Sequence, residues 1–419
     1  MNRIRSAIHF LLATGTKIIS GLVVIKFLAW YLGTSGFGLM SQFMGLVAVV
    51  GMLAGGGVAN GLVKFLSGNQ SDSAEGRNWF ESALFISLYS SMAIFFVLLV
   101  GASYFSETFL QGRFRLAIWV LGCVQFFVGI GSLIIADASS RGESKRFAFL
   151  NITGTILGTI LIALGAYVYG EEGSAYALVL ASALVGILGI LMLMRESSHL
   201  LRLRPKMDFS CVRQLLSYSA LPMAGALSIT LAQLAVRDAM AASYSWSGVG
   251  LWQGVAKTSD VYMQFVGVIL INYALPRMAT DSTERAVREL WIVMAGLVGF
   301  LAIGFILFLS LQDFLVALVF SEDFLPMRKY FPIQMLGDLL RCIAAAFSFF
   351  LIARGYLKFS LMYEIVQGCL FVSVFYLIFN KAGDMAPVYA HVVTYFVLGM
   401  IMALAFWRFC SRSKTEQLA

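Results

Sequence analysis

The chain has 419 residues, 60% of them hydrophobic and only 12% charged, with a formal net charge of +8. A soluble domain is about half apolar and about a quarter charged, so there is too little polar surface here to cover a water-soluble particle of this size. That excludes a soluble enzyme, a disordered chain and a secreted disulfide scaffold. It also disfavours a transmembrane barrel, which needs alternating segments of about 10 residues, and leaves an all-α polytopic membrane protein.

A crossing takes about 20 apolar residues. In chain order, twelve such runs are predicted: 8–31, 40–63, 80–104, 116–140, 147–169, 175–194, 214–242, 249–273, 290–310, 331–352, 359–379 and 386–407. The first begins basic and then turns apolar, like a signal peptide. Lys17 and Lys26 interrupt that run and no small-residue cleavage site follows, so it is expected to be retained as a span. With a cytoplasmic N-terminus, 20 Lys and Arg residues fall on the cytoplasmic side and 5 on the other. This bias fits the positive-inside rule with both termini cytoplasmic. The net positive charge is thereby accounted for without a nucleic-acid partner.

Several chemistries find no support. Cys123, Cys211, Cys342, Cys369 and Cys410 form no CxxC pair, so neither a metal site nor a disulfide framework is indicated. His9, His199 and His391 are far apart in sequence. No GxxxxGK[ST] motif is present, so no P-loop is expected. No cofactor is expected.

The longest polar connection, Arg195 to Arg213, divides the spans six and six, into lobes 1–200 and 201–419. Gly36-Phe37-Gly38-Leu39 reappears as Gly248-Val249-Gly250-Leu251, and Asn60 falls on Asn272, both at an offset of 212. Arg141-Gly142-x-x-Lys145 reappears as Arg354-Gly355-x-x-Lys358 at an offset of 213. Three matches in order argue for duplication. Six helices per half makes it a parallel pseudo-two-fold repeat, the arrangement of transporters that work by rocking one half against the other.

Ionisable groups inside spans are costly and are functional-site candidates by default. Here they are Lys17 and Lys26, Asp137, Arg237 and Asp238, Lys257 and Asp260, Asp338 and Arg341, and Glu364, with Lys64 closing the second span. In the eighth span Gln253, Lys257, Asp260 and Gln264 are spaced 4, 3 and 4 apart and share one helical face. Val255, Tyr262, Val266 and Ile269 are assigned to the opposite face. The stripe reads as the wall of a polar cavity, with a structural Lys257–Asp260 pair as the alternative. Asp338 and Arg341 repeat the i, i+3 spacing, as a cavity pair or a structural one. Lys17 and Lys26 lie about half a turn out of phase. Lys17 is the favoured cavity group, whereas Lys26 is placed to snorkel toward the outer end. Lys64 and Glu364 sit near span ends, where solvation is the competing explanation. Asp137, Asp260, Asp338 and Glu364 are the ion-coupling candidates. Arg and Lys deep in a bilayer suit an anionic group that has to cross it, phosphate above all, which Arg meets in a forked geometry and Lys as a point charge.

The stretch Tyr244-Ser245-Trp246, Val249-Gly250-Leu251-Trp252-Gln253-Gly254-Val255 and Ser259-Asp260-x-Tyr262-x-Gln264-Phe265 resembles the corresponding segment of Wzx-type flippases. Asn60-Gly61-x-x-Lys64, Lys17 with Lys26 and Gly33, Arg237, Met327-Arg328, Gln334, Gly337-Asp338 and Glu364-x-x-Gln367 extend the resemblance over nearly the whole chain. The chain departs from that pattern at Asp238, where a basic residue is usual, and at Lys257, where a small polar one is.

The resemblance implies the polysaccharide-transport branch of the multidrug/oligosaccharidyl-lipid/polysaccharide exporter superfamily, with twelve helices in two six-helix lobes. It further implies translocation of an undecaprenyl-diphosphate-linked oligosaccharide repeat, such as an O-antigen unit, from the inner to the outer leaflet of the bacterial inner membrane. The expected partners are that lipid-linked oligosaccharide and membrane lipid, with a polysaccharide polymerase and a chain-length regulator downstream. The substrate-binding expectation covers Lys17, Lys26, Asn60, Lys64, Arg237, Gln253, Lys257, Asp260, Gln264, Asn272, Asp338 and Arg341. The alternatives are a drug or cation exporter of the same fold, which would want an acidic cleft with few bases, and a membrane-embedded polysaccharide polymerase, which would want a large external loop.

Overall fold

The computed structural model describes residues 2–67, 73–196, 200, 204–280 and 282–418. The first helix, α1 (Asn2–Ala54), carries at Gly33 a non-helical backbone of φ 64° and ψ −173°. Only glycine reaches that region without a Cβ penalty, so α1 is two helices joined end to end. After the short α2 (Ala59–Leu66) come α3 (Ala74–Leu110), α4 (Arg115–Ser140) and α5 (Ser144–Arg195). α5 breaks at Gly170, φ 56° and ψ −130°, for the same reason. The start of α3 is set by Ser73, whose side chain accepts from the Gly76 N–H at 3.0 Å, with Glu75 in the first turn complementing the helix dipole.

The second half comprises α6 (Phe209–Ser243, interrupted by Pro222), α7 (Trp246–Ile269), a π-helical turn at Leu270–Ala274, α8 (Leu275–Met278) and α9 (Thr283–Val319). A 3-10 segment at Glu322–Lys329 leads to α10 (Phe331–Ala353), α11 (Leu357–Ala382) and α12 (Ala386–Leu418). Among the described residues there is no strand.

Eight continuous stretches among the described residues are long and apolar enough to cross a membrane, nine when the helix broken at Pro222 counts as one. Three of them, Leu12–Leu66, Ser144–Arg195 and Met362–Ser411, are 55, 52 and 50 residues long. Each exceeds twice the ~20 residues a crossing needs and holds two passages. The described residues therefore make the twelve crossings expected, six in α1–α5 and six in α6–α12. Large apolar side chains such as Val100 and Leu377, 85% and 80% exposed, stand on the outside. Hydrocarbon rather than water solvates such a surface.

The duplication shows in the backbone. Gly33 and Ser245, 212 positions apart, both have positive φ (64° and 126°), and each opens the helix that carries its copy of the Gly-x-Gly-Leu motif. Arg141 and Arg354 each cap the fourth crossing of their half, followed by Gly142 and Gly355 at φ 68° and 83°. Asn60 lies just past a turn at the end of the second crossing, and Asn272 lies in the π-helical turn at the same place.

Residues Met1–Met223 and Ala224–Ala419 form two compact units, divided within α6 beside Pro222. Of the polar connection 195–213, residues 197–199 (including His199) and 201–203 lie outside the described residues. In the first unit α5 packs on both α1 and α4. In the second, α10 is the central helix, in contact with α7, α9, α11 and α12.

Candidate functional site: a polar cavity inside the second unit

Pro332, in the first turn of α10, needs no N–H partner there. Beyond it Gln334, Asp338 and Arg341, spaced 4 and 3, line one face of the helix. Asp338 is fully buried. A carboxylate in such a place is tolerated only when its oxygens are met by donors, and three converge on it. Ser259 Oγ donates to Oδ2 at 2.7 Å, the Tyr262 hydroxyl donates to the same oxygen, and His391 Nε2 lies 2.9 Å from Oδ1. Gln334 Nε2 is 3.1 Å from His391 Nε2. Gly337 makes room for this array. A Cβ there would come within 2.3 Å of His391 Cδ2, so any side chain would push the imidazole away from Asp338.

Beside this array is a cavity of about 320 Å³, walled by α6, α7, α10, α11 and α12. Asp260, Arg341 and Glu364 line it, together with His391 and Tyr395. The Arg341 guanidinium lies 5.6 Å from the Tyr395 ring centroid, within cation–π range. A cavity that gathers charged and carboxamide side chains among apolar helices can hold water or a polar ligand.

The predicted residues divide into those this cavity gathers and those it does not. Asp260, Arg341 and Glu364 line it, and Asp338 stands directly behind. Of the stripe Gln253–Lys257–Asp260–Gln264, only Asp260 reaches it. Gln253 is buried and accepts a 3.3 Å hydrogen bond from Arg237, which also donates to the Gln233 carbonyl at 3.1 Å. Lys257 pairs with Asp260 at 3.7 Å and is partly exposed, and Gln264 is exposed. Asn272 is exposed and donates to the Val268 carbonyl. The cavity is met instead by Trp252, Ala256, Ser259, Asp260, Met263 and Gly267. At roughly 100° per residue this face is centred about 80° from the polar stripe. Tyr262, assigned to the apolar face, is corrected accordingly: its ring lies 5.2 Å from that of Phe305, but its hydroxyl binds Asp338. Polarity located the wet helix, and packing on α10 set its rotation.

In the first unit, Lys17 and Asn60 are exposed. Lys26 is half-buried with its ammonium 5.8 Å from the Trp30 ring. Lys64 is exposed and lies 4.2 Å from the Tyr218 ring. Asp137 is buried and accepts from Arg141 Nε at 2.9 Å, an ion pair at the end of α4.

Sequence reasoning passed over His391, Ser259 and Gln233. A signal for the first was present: His391, Thr394 and Tyr395 are spaced 3 and 1 and make a polar patch in the otherwise apolar run 386–407.

A family described as polysaccharide biosynthesis protein matches residues 27–329, well over half of the chain. The chain belongs to this family. Lipid III flippase of Escherichia coli strain K12 is 30% identical over 396 residues, covering 92% of this chain and 93% of that one, and the Shigella flexneri lipid III flippase matches to the same extent. Among solved structures, an inward-facing multidrug resistance MATE transporter superposes with a TM-score of 0.78 at 14% identity, covering 98% of this chain and 99% of that one. The lipid II flippase MurJ, in an inward closed conformation, superposes with a TM-score of 0.71 at 14% identity, covering 95% and 87%. At such identities the likeness establishes the fold of this chain, which is that of the MATE and MurJ transporters.

Proposed function

We propose that the chain is a flippase that moves undecaprenyl-diphosphate-linked oligosaccharide repeat units from the inner to the outer leaflet of the bacterial inner membrane. The observation that carries this reading is the 30% identity to lipid III flippase along nearly the full length of both chains. The buried polar array inside the spans supports it, because a lipid-linked saccharide has to carry polar groups through hydrocarbon. Fold alone does not choose a cargo, and the likeness to drug exporters stands at 14% identity. The exporter is therefore the weaker reading.

In this mechanism the polyprenyl tail stays in lipid while the head group crosses through protein. Lys17, Lys26 and Lys64 make no ion pair among the described residues, so their charge is free to attract a diphosphate. Asp137, Asp260, Asp338 and Glu364 are the candidates for ion coupling. With no P-loop in the sequence, the drive is an ion gradient or removal of product by a polysaccharide polymerase and its chain-length regulator. The basic bias of 20 to 5 supports an orientation with both termini in the cytoplasm.

Deletion of the gene is expected to remove the surface-polysaccharide ladder while single lipid-linked repeats accumulate on the cytoplasmic leaflet, with rescue by the intact gene. An unchanged ladder with altered drug tolerance would refute the flippase and favour an exporter. Asp260→Asn and Lys257→Ala are each expected to reduce the ladder several-fold with normal protein in the membrane. The pair is partly exposed and 3.7 Å long, so its loss costs at most ~1 kcal/mol of stability. Full export by both variants would remove this pair from the mechanism.

A further inference from the structure

We propose that the cavity inside the second unit is a sugar subsite, which takes one neutral pyranose ring of the lipid-linked substrate and not its diphosphate. The inference rests on the flippase reading and assigns this cavity a specific share of the cargo.

Charge speaks first. Arg341 is the one Lys or Arg among the described lining residues, against Asp260 and Glu364 on the wall and Asp338 behind His391, and Lys257, outside the lining, is paired with Asp260 at 3.7 Å. These bases do not outnumber the carboxyl groups they face, so the cavity holds no surplus of Lys or Arg to draw in a diphosphate, whereas an uncharged polyol needs none.

Hydrogen-bonding capacity speaks second. Gln233 on α6, Gln334 on α10 and Gln367 on α11 bring carboxamides to the cavity from three helices. Each amide both donates and accepts, as sugar hydroxyls do. Thr394 on α12 is 1% exposed, lines the cavity, and its Oγ1 has no hydrogen-bond partner among the described residues. Buried hydroxyls are ordinarily satisfied, so this one points to a polar occupant.

Shape speaks third. Trp252 and Phe371 are stacked 6.4 Å apart with an interplanar angle of 28°, and both line the cavity. They offer an apolar wall to the C–H face of a pyranose. The volume of about 320 Å³ is at the small end of ligand pockets, enough for one ring and not for a whole repeat unit. Gln334 and His391, on the wall itself, are held in place by their hydrogen bonds to each other and to Asp338.

The test measures binding to the full chain in lipid nanodiscs, with two probes. One is undecaprenyl diphosphate without sugar. The other is the lipid-linked repeat extracted from a strain lacking this gene. The wild-type protein is expected to bind the repeat more tightly than the bare lipid. Gln367→Ala and Gln233→Ala should each weaken the repeat about 10-fold, and Thr394→Val by a smaller factor, with bare-lipid binding unchanged. Retained bare-lipid binding reports that the variant is folded. Lys17→Ala should weaken both probes together. Equal loss of both probes in the glutamine variants, or no loss of either, overturns the subsite. Equal binding of the two probes by the wild-type protein also overturns it while leaving the flippase reading in place. Binding of neither probe overturns the flippase reading itself.

Discussion

Asp338→Asn is expected to abolish export and to destabilise the protein by about 3 kcal/mol, seen as a lower melting temperature of the purified protein. The carboxylate accepts from Ser259 and Tyr262 on one oxygen and faces His391 Nε2 with the other. An amide supplies one acceptor oxygen and turns an NH2 group to the other side, so the partners there have to reorient to accept, and the charge that strengthens all of these bonds is lost. Hydrogen bonds to a charged group contribute ~1.5–3 kcal/mol, and a buried donor left unpaired adds its own desolvation cost. The site is fully buried, so water offers no relief. His391→Gln should be milder, because the amide can still donate to Oδ1. An Asp338→Asn protein with the wild-type melting temperature and a normal ladder would remove the buried array from both stability and function.

Gly186→Ala is expected to remove most of the protein from the membrane. In an isolated helix the same change would stabilise by about 1 kcal/mol, since alanine is the better helix former. Packing reverses the sign. A Cβ on Gly186 would lie 1.9 Å from the Phe127 carbonyl oxygen and 2.6 Å from its carbon, where α5 crosses α4. Gly131, on the other side of the crossing, would place its Cβ 2.8 Å from the Gly186 nitrogen. These are backbone atoms and cannot rotate away, so the two helices must separate along their length and lose the contacts of a close small-residue crossing. Overpacking of this kind costs ~1–3 kcal/mol and more where backbone has to move. Gly296→Ala in α9, with nothing within 4 Å, is the matched control and should leave the protein level unchanged. Equal abundance of the two variants would show that the α4–α5 crossing tolerates separation.

The legible part of the site was its chemistry. Asp260, Asp338, Arg341 and Glu364 stood out because charge inside an apolar span has a cost that needs a reason, and all four meet at or beside one cavity. The illegible part was rotation. The helical wheel of α7 identifies a polar stripe, but it does not say which face of the helix meets α10. The Arg237–Gln253 bond lies within the stripe, and Ser259 and Tyr262, outside it, are the residues that meet Asp338. His391 was hidden because its partner lies 53 residues away on another helix.

The sequence by itself determined the class of the molecule. Apolar run length decides that the chain crosses a bilayer about twelve times, since backbone polar groups in hydrocarbon have to be satisfied within helices. The spacing of Gly36, Asn60 and Arg141 from their counterparts decides that the second half repeats the first. Tertiary structure alone decided that Gly337 lets the imidazole of His391 reach Asp338, and that three glutamines from three helices face one space. Hydrophobicity and periodicity are properties of a single segment and can be read along it. A hydrogen-bonded array belongs to the angles at which several helices pack, and those are set by side chains that meet only in the folded protein.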